Sequence, residues 1–130
     1  MKITQKIEYN SSVEEVYSAL TTKSEFAQFT GASAEIDAEP GGSFSCFDGM
    51  ITGFTLELEP GKRIVQAWRA GNWDDGVYSI IRIDLEQTEV NKTQLKFEHS
   101  GFPEEHISHL EQGWHDRYWE PLRAFLQQPG

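Results

Sequence analysis

Cysteine is nearly missing from this chain: Cys46 stands alone. No disulfide can close within the sequence, and no thiolate cluster can hold a metal centre. Basic residues are scarce as well. Eleven Lys and Arg stand against 21 Asp and Glu, a formal net charge of −10. Such a surface repels phosphate backbones and anionic lipid heads, which argues against nucleic acid as a partner. Long apolar runs are also lacking, and no stretch approaches the ~20 residues that span a bilayer. The opening MKITQKIEYN alternates instead of forming an apolar signal core. The expected compartment is therefore reducing and cytoplasmic, without membrane insertion. Catalytic signatures are missing too: there is no GxSxG elbow, HExxH, Walker loop or GxGxxG. No catalytic residue, metal or cofactor is assigned.

What is present reads as one globular domain over residues 1–130. Hydrophobic residues make up 38% and aromatics 12%, enough for a chain of this length to bury one proper core. Ile3, Gln5, Ile7 and Tyr9 alternate with polar residues and predict a strand. Ser12 and Glu15 have capping-box spacing, and Thr22 and Glu25 repeat it. Two short helices follow, ending near Gly31. Residues 32–100 read as strands and turns. The expected strands are 32–37, 43–47, 51–59, 63–70, 77–87 and one ending at Ser100. Phe54, Leu56 and Leu58 are expected on one inner face. Val77, Ser79, Ile81, Ile83 and Leu85 share another, and Leu95, Phe97 and His99 a third. Glu59-Pro60-Gly61-Lys62 predicts a type II turn. Beyond Pro103, the residues Ile107, Leu110, Trp114, Tyr118, Leu122 and Phe125 recur at helical spacing. Pro121 should kink that helix. The order is strand, two short helices, antiparallel strands and one long helix. It predicts an α+β fold in which the last helix covers the apolar face of a twisted sheet.

Trp68, Trp73, Trp114 and Trp119 have two readings. Each indole can serve the core, or it can wall a small apolar pocket. Trp73, in a charged loop, is also suited to gate a cavity mouth or meet a protein. Gly113 costs helix stability and marks a close approach of backbone or ligand. His99 is expected buried and hydrogen-bonded, or facing a ligand. Arg69 is expected to pair with a carboxylate or anchor an anion. His106 and His109 lie three apart on one helix, but no third or fourth ligand completes a metal set, so they read as surface.

Several blocks in order carry a resemblance: SSVEEVYSALTT, FTGASAEIDAEPGGSFSCFDGMITG, LEPGKRIVQAWR, NWDDG, SGFPEE and EQGWHDRYWEPLRAFL. Together the chain resembles the C-terminal-type domain of the family that activates the ATPase of the 90-kDa heat-shock chaperone (Hsp90). That family lies within the START-like (SRPBCC) superfamily. The resemblance implies a helix-grip fold, in which a curved antiparallel sheet holds the C-terminal helix. It also implies a chaperone-linked role in stress response, and no catalytic residue common to the superfamily. The eukaryotic activators carry a separate N-terminal domain that makes a major chaperone contact, whereas this sequence opens at the C-terminal-type domain.

The sequence reading therefore places first a non-enzymatic module with a small hydrophobic ligand between sheet and helix. Its expected lining is Phe54, Trp68, Trp73, Ile81, Ile83, Phe97, His99, Trp114 and Tyr118. A chaperone or other protein partner comes second. A small cyclase- or hydrolase-type enzyme, using His99, Arg69 and a carboxylate, comes third.

Overall fold

Alternation sets the inner face of the sheet. The computed structural model describes residues 1–127. The first strand, β1 (Lys2–Tyr9), buries Ile3, Ile7 and Tyr9 on one side. Helices α1 (Val13–Thr21) and α2 (Lys23–Thr30) follow. The first capping box forms as expected. Ser12 Oγ accepts from the Glu15 amide at 3.2 Å, and Glu15 Oε1 accepts from the Ser12 amide at 3.1 Å. The second does not. Thr22 ends α1 and starts α2 but makes no side-chain cap. Glu25 instead accepts from Ser18 Oγ at 2.6 Å, because the abutting helices bring that hydroxyl within reach.

Six more strands complete the sheet: β2 (Ala34–Ile36), β3 (Ser43–Cys46), β4 (Ile51–Glu59), β5 (Arg63–Ala70), β6 (Ser79–Glu89) and β7 (Lys92–Ser100). All pairs are antiparallel, in the order β1-β7-β6-β5-β4-β3-β2. The inner stripes on β6 and β7 match the expectation at Ser79, Ile81, Ile83, Leu85, Leu95, Phe97 and His99, all buried, while Val77 lies before β6 and is half-buried. The type II turn forms too, with Gly61 at φ +73° and the Lys62 amide on the Glu59 carbonyl at 2.8 Å.

β4 departs from the expected phase. Its register with β5 shifts between Thr55 and Glu57, leaving Leu56 as an extra residue. Such a bulge reverses which side chains face inward on either side of it. Thr55 is buried and Leu58 packs on the core, while Phe54 and Leu56 face out at 45% and 50% exposure. Gly53, opposite Trp68, is required where it stands. A Cβ there would lie 1.9 Å from the Ala67 carbonyl oxygen and 2.8 Å from the Phe44 ring.

The C-terminal helix is not one continuous α-helix. A 3₁₀ turn (Glu104–His106) leads into α3 (Ile107–Trp114), a π-helical turn (His115–Trp119) and α4 (Glu120–Leu126). The Glu120 amide bonds the His115 carbonyl, five residues back. The expected break at Pro121 thus takes the form of a widened turn before it, with the proline in the first turn of α4, where its missing N–H is tolerated. The widening also turns two adjacent aromatics, Tyr118 and Trp119, into the core together. The helix is tied to β1 by polar contacts. Tyr9 Oη donates to the Trp119 carbonyl at 2.9 Å, Trp119 Nε1 to Gln5 Oε1 at 2.6 Å, and Gln5 Nε2 to the Glu111 carbonyl at 3.1 Å. Among the described residues, no helix is long and apolar enough to cross a membrane.

Candidate functional site

Beneath α3 and the π-turn, aromatics from three elements meet. Trp114 lies 4.3 Å from Phe97, 5.3 Å from Trp68 and 4.2 Å from Tyr118, centroid to centroid. Ile81 and Ile83 close the layer below. The space these rings leave, bordered by Phe44, Ile64, Trp68, Ile83 and Tyr118, is only about 30 Å³. That is at most about a tenth of the ~300–1,000 Å³ of ligand pockets. The sheet–helix interior is therefore packed rather than hollow.

His99 sits within this packing and is fully buried. Trp114 Nε1 donates to its Nδ1 at 3.1 Å, and its Nε2 lies 2.8 Å from Ser79 Oγ. The indole has only a proton to offer, so Nδ1 must accept and the hydrogen must ride on Nε2. Ser79 Oγ in turn donates to the Trp68 carbonyl at 2.7 Å. The relay is Trp114 to His99 to Ser79 to the Trp68 backbone, with every partner satisfied. Burial holds the imidazole neutral, lowering its pKa to about 3. Both ring nitrogens are committed, so His99 fixes the helix to the sheet and offers no free acid–base position. Cys46 is equally inert. Burial raises its thiol pKa to about 12, and its Sγ lies 3.9 Å from Tyr118 Oη.

The roomier space opens at one end of this layer. A cleft of about 250 Å³ lies between the turn before β4, the loop after β5 and the C-terminal helix. Phe47, Met50 and Ile51 form one wall, and Trp73 with Asn72 a second. The helix supplies the third through His106, His109, Leu110, Gly113, Trp114 and Arg117. Trp73 is buried despite its charged loop, with its ring 5.7 Å from Trp68 and stacked 6.5 Å from His106. Arg69 holds that loop. Its guanidinium donates to the carbonyls of Val77, Trp73 and Asp74 at 3.2, 2.9 and 3.1 Å. Among the described residues it pairs with no carboxylate, and it does not line the cleft, because the tight loop turns three backbone acceptors toward it first. Gly113 does not mark a close backbone approach. A Cβ there would meet nothing within 4 Å, and the residue forms a notch in the cleft wall.

Of the expected lining residues, Trp68, Trp73, Trp114 and Tyr118 border this cleft. Ile81, Ile83, Phe97 and His99 lie in the packed layer behind it. Phe54 is on the opposite face of the sheet, for the bulge reason given above. Sequence reasoning missed Phe47 and Met50, which belong to a turn containing positive φ at Phe47 and Asp48 and follow no period. It also missed Arg117, although the residue falls four after Gly113 on the same helical face. Among the described residues, no three His, Cys, Asp or Glu side chains converge as a metal site.

A second exposed feature lies on the outer face of the sheet. Phe54, Ala67 and Ile80 are consecutive neighbours across β4, β5 and β6. Tyr78 packs beside Phe54 at 6.2 Å. With Leu56 they make an apolar row in which Tyr78 and Ile80 are each 42% exposed. An ion network borders it, where Arg63 reaches Asp84 at 2.8 Å and Glu57 at 3.1 Å, and Arg82 reaches Asp84 at 2.7 Å.

Comparison with known proteins agrees with this architecture. The chain is 34% identical over 122 residues to human activator of 90 kDa heat shock protein ATPase homolog 1, covering 94% of this chain and 36% of that protein. It is 31% identical over 109 residues to the Dictyostelium discoideum homolog, covering 84% of this chain and 28% of that one. It therefore spans about a third of the length of these relatives. Among solved structures, a Plasmodium falciparum protein described as an HSP90 activator superposes with a TM-score of 0.91 at 26% identity, covering 99% of this chain and 98% of that one. The seven-stranded sheet and C-terminal helix are the helix-grip arrangement expected of START-like domains. Residues 10–127 match the family model directly, and the chain belongs to the Activator of Hsp90 ATPase homolog 1-like protein family.

Proposed function

We propose that this chain acts by binding rather than by catalysis, and that its partner is an Hsp90-type chaperone whose ATP turnover it raises. The carrying observation is the end-to-end match to the Plasmodium falciparum HSP90 activator, a chain of nearly the same extent. The packed interior and the committed nitrogens of His99 supply no reaction chamber, which favours a surface role. The apolar row of Phe54, Leu56, Tyr78 and Ile80 is a surface a protein partner would cover. The charge of −10 adds steering toward a basic patch on that partner. Calorimetric titration into an Hsp90-type chaperone at low salt tests the contact. Saturable binding that weakens as salt rises is expected, and absence of binding at low salt would refute the proposal.

A second reading is a small-molecule site. It rests on the 250 Å³ cleft and the notch at Gly113. Four of the nine expected lining residues, Ile81, Ile83, Phe97 and His99, lie behind that cleft, so the ligand would sit at the end of the aromatic layer, not beneath it. A hydrophobic-ligand screen followed by tryptophan fluorescence and NMR shifts tests it. Shifts confined to Trp73, Gly113 and their neighbours support it, and no shift with any compound removes it.

A further inference from the structure

Among the described residues, Arg117 is free of ion pairs and side-chain hydrogen bonds, unlike most arginines of this chain. It lies at the edge of the cleft, on the helical stripe that includes His109, Gly113 and Arg117. At about 1.5 Å rise per α-helical residue, His109 stands about 6 Å from the Gly113 notch along the axis, and Arg117, in the π-helical turn, lies on its other side. Besides the Tyr118 hydroxyl, which faces Cys46, the polar side chains lining this cleft are Asn72, His106, His109 and Arg117, and no carboxylate lines it. This is notable in a chain with 21 Asp and Glu. Two acids, Asp48 and Asp116, share the neighbouring groove with Arg117 but are engaged elsewhere. Asp48 Oδ1 accepts from the Ser33 amide and hydroxyl at 3.1 and 2.7 Å, and Asp116 Oδ1 accepts from Gln112 Nε2 at 2.9 Å.

The walls are aromatic: Trp73, Trp114, Tyr118 and Phe47. The volume of about 250 Å³ falls below the ~300–1,000 Å³ of drug-sized pockets. A volume of this size suits a small planar ring system better than a long acyl chain or a steroid. We infer that the cleft takes a small aromatic monocarboxylate, its ring in the Gly113 notch against Trp73 and Trp114 and its carboxylate on Arg117. This rests on the second, ligand-binding reading above. A guanidinium meets a carboxylate through two parallel N–H donors, a geometry a neutral amide cannot match.

The test uses one ring with two head groups. The protein is titrated with 2-naphthoate and, separately, with 2-naphthamide, following the Trp73 indole and Gly113 amide NMR signals. Both compounds should move these signals, with the carboxylate about fivefold tighter, as expected of an exposed charge pair. Arg117→Gln should erase that difference while leaving the melting temperature unchanged. Gly113→Leu should abolish both titrations in a protein that still melts cooperatively. Equal affinities in the wild type, or a preference that survives Arg117→Gln, would overturn the anion assignment and leave the cleft standing as a ligand site. Failure of both compounds to move either signal would sink the ligand-binding reading itself. Tighter binding of palmitate than of 2-naphthoate, at the same signals, would refute the size argument.

Discussion

Replacing His99 with glutamine should flatten the acid side of this protein's stability profile. The imidazole is buried and neutral, with its pKa lowered to about 3 by desolvation, against about 6.5 in an unfolded chain. The folded value is the lower one, so the unfolded state takes up the proton first. Stability from this residue is complete above pH 6.5 and is lost as pH falls from there toward 3. At 1.36 kcal/mol per unit, the gap corresponds to roughly 5 kcal/mol by pH 3, and to about 2 kcal/mol between pH 7 and pH 5. Glutamine can still accept from Trp114 Nε1 and donate to Ser79 Oγ, but it does not titrate. Urea unfolding of both proteins at pH 7, 6 and 5 gives the comparison. The variant should be less stable at pH 7, and the gap should shrink by about 2 kcal/mol at pH 5. A gap independent of pH, or an imidazole NMR signal titrating near 6.5 in the folded protein, would show that the relay from Trp114 to Ser79 is not holding His99 neutral.

Three further outcomes follow from individual positions. Gly113→Ala should raise stability by about 1 kcal/mol, read as a higher melting temperature, since alanine favours the helix and its Cβ meets only open space. Gly53→Ala should cost about 1–3 kcal/mol or more in a denaturant melt, because its Cβ would press on the Ala67 carbonyl of the paired strand. The Cys46 thiol, pushed up to about 12, should react with a thiol reagent at pH 8 only as fast as the protein opens, and at full speed in denaturant.

Much of the fold was legible because its strongest signals are local. Alternation along β1, β6 and β7 placed Ile3, Ile81 and Phe97 inward without reference to anything else. The Ser12–Glu15 box and the Pro60-Gly61 turn depend on residues a few positions apart, and both formed. Two of the failures share one cause, an extra residue in a regular repeat. The bulge at Leu56 reversed β4, sending Phe54 outward although its spacing from Leu58 was that of one face. The π-turn before Pro121 did the same to the helix, so Trp119 joined Tyr118 inside, while a strict three-and-four stripe passed over it. Non-local partners were equally hidden. Nothing in the neighbourhood of Arg69 signalled that three loop carbonyls would turn toward it. His99 was legible as buried, but its tautomer required Trp114 and Ser79, fifteen and twenty positions away.

The cleft was legible only in part, for a related reason. Trp68, Trp73 and Trp114 announce themselves by cost of placement. Phe47, Met50 and Arg117 become neighbours only when the β3–β4 turn folds over the helix. A pattern search also cannot tell a filled aromatic layer from a hollow one. That distinction depends on ring separations of 4.2 to 5.3 Å around Trp114, which leave a space of only about 30 Å³.

The central claim is regulation of a chaperone through surface contact, and ATP turnover by an Hsp90-type chaperone tests it most directly. Turnover should rise saturably as this protein is added, and Ile80→Glu, placing a charge in the outer apolar row without touching the core, should shift the half-maximal concentration upward by about tenfold or more. Unchanged turnover at saturating wild-type protein would contradict the account.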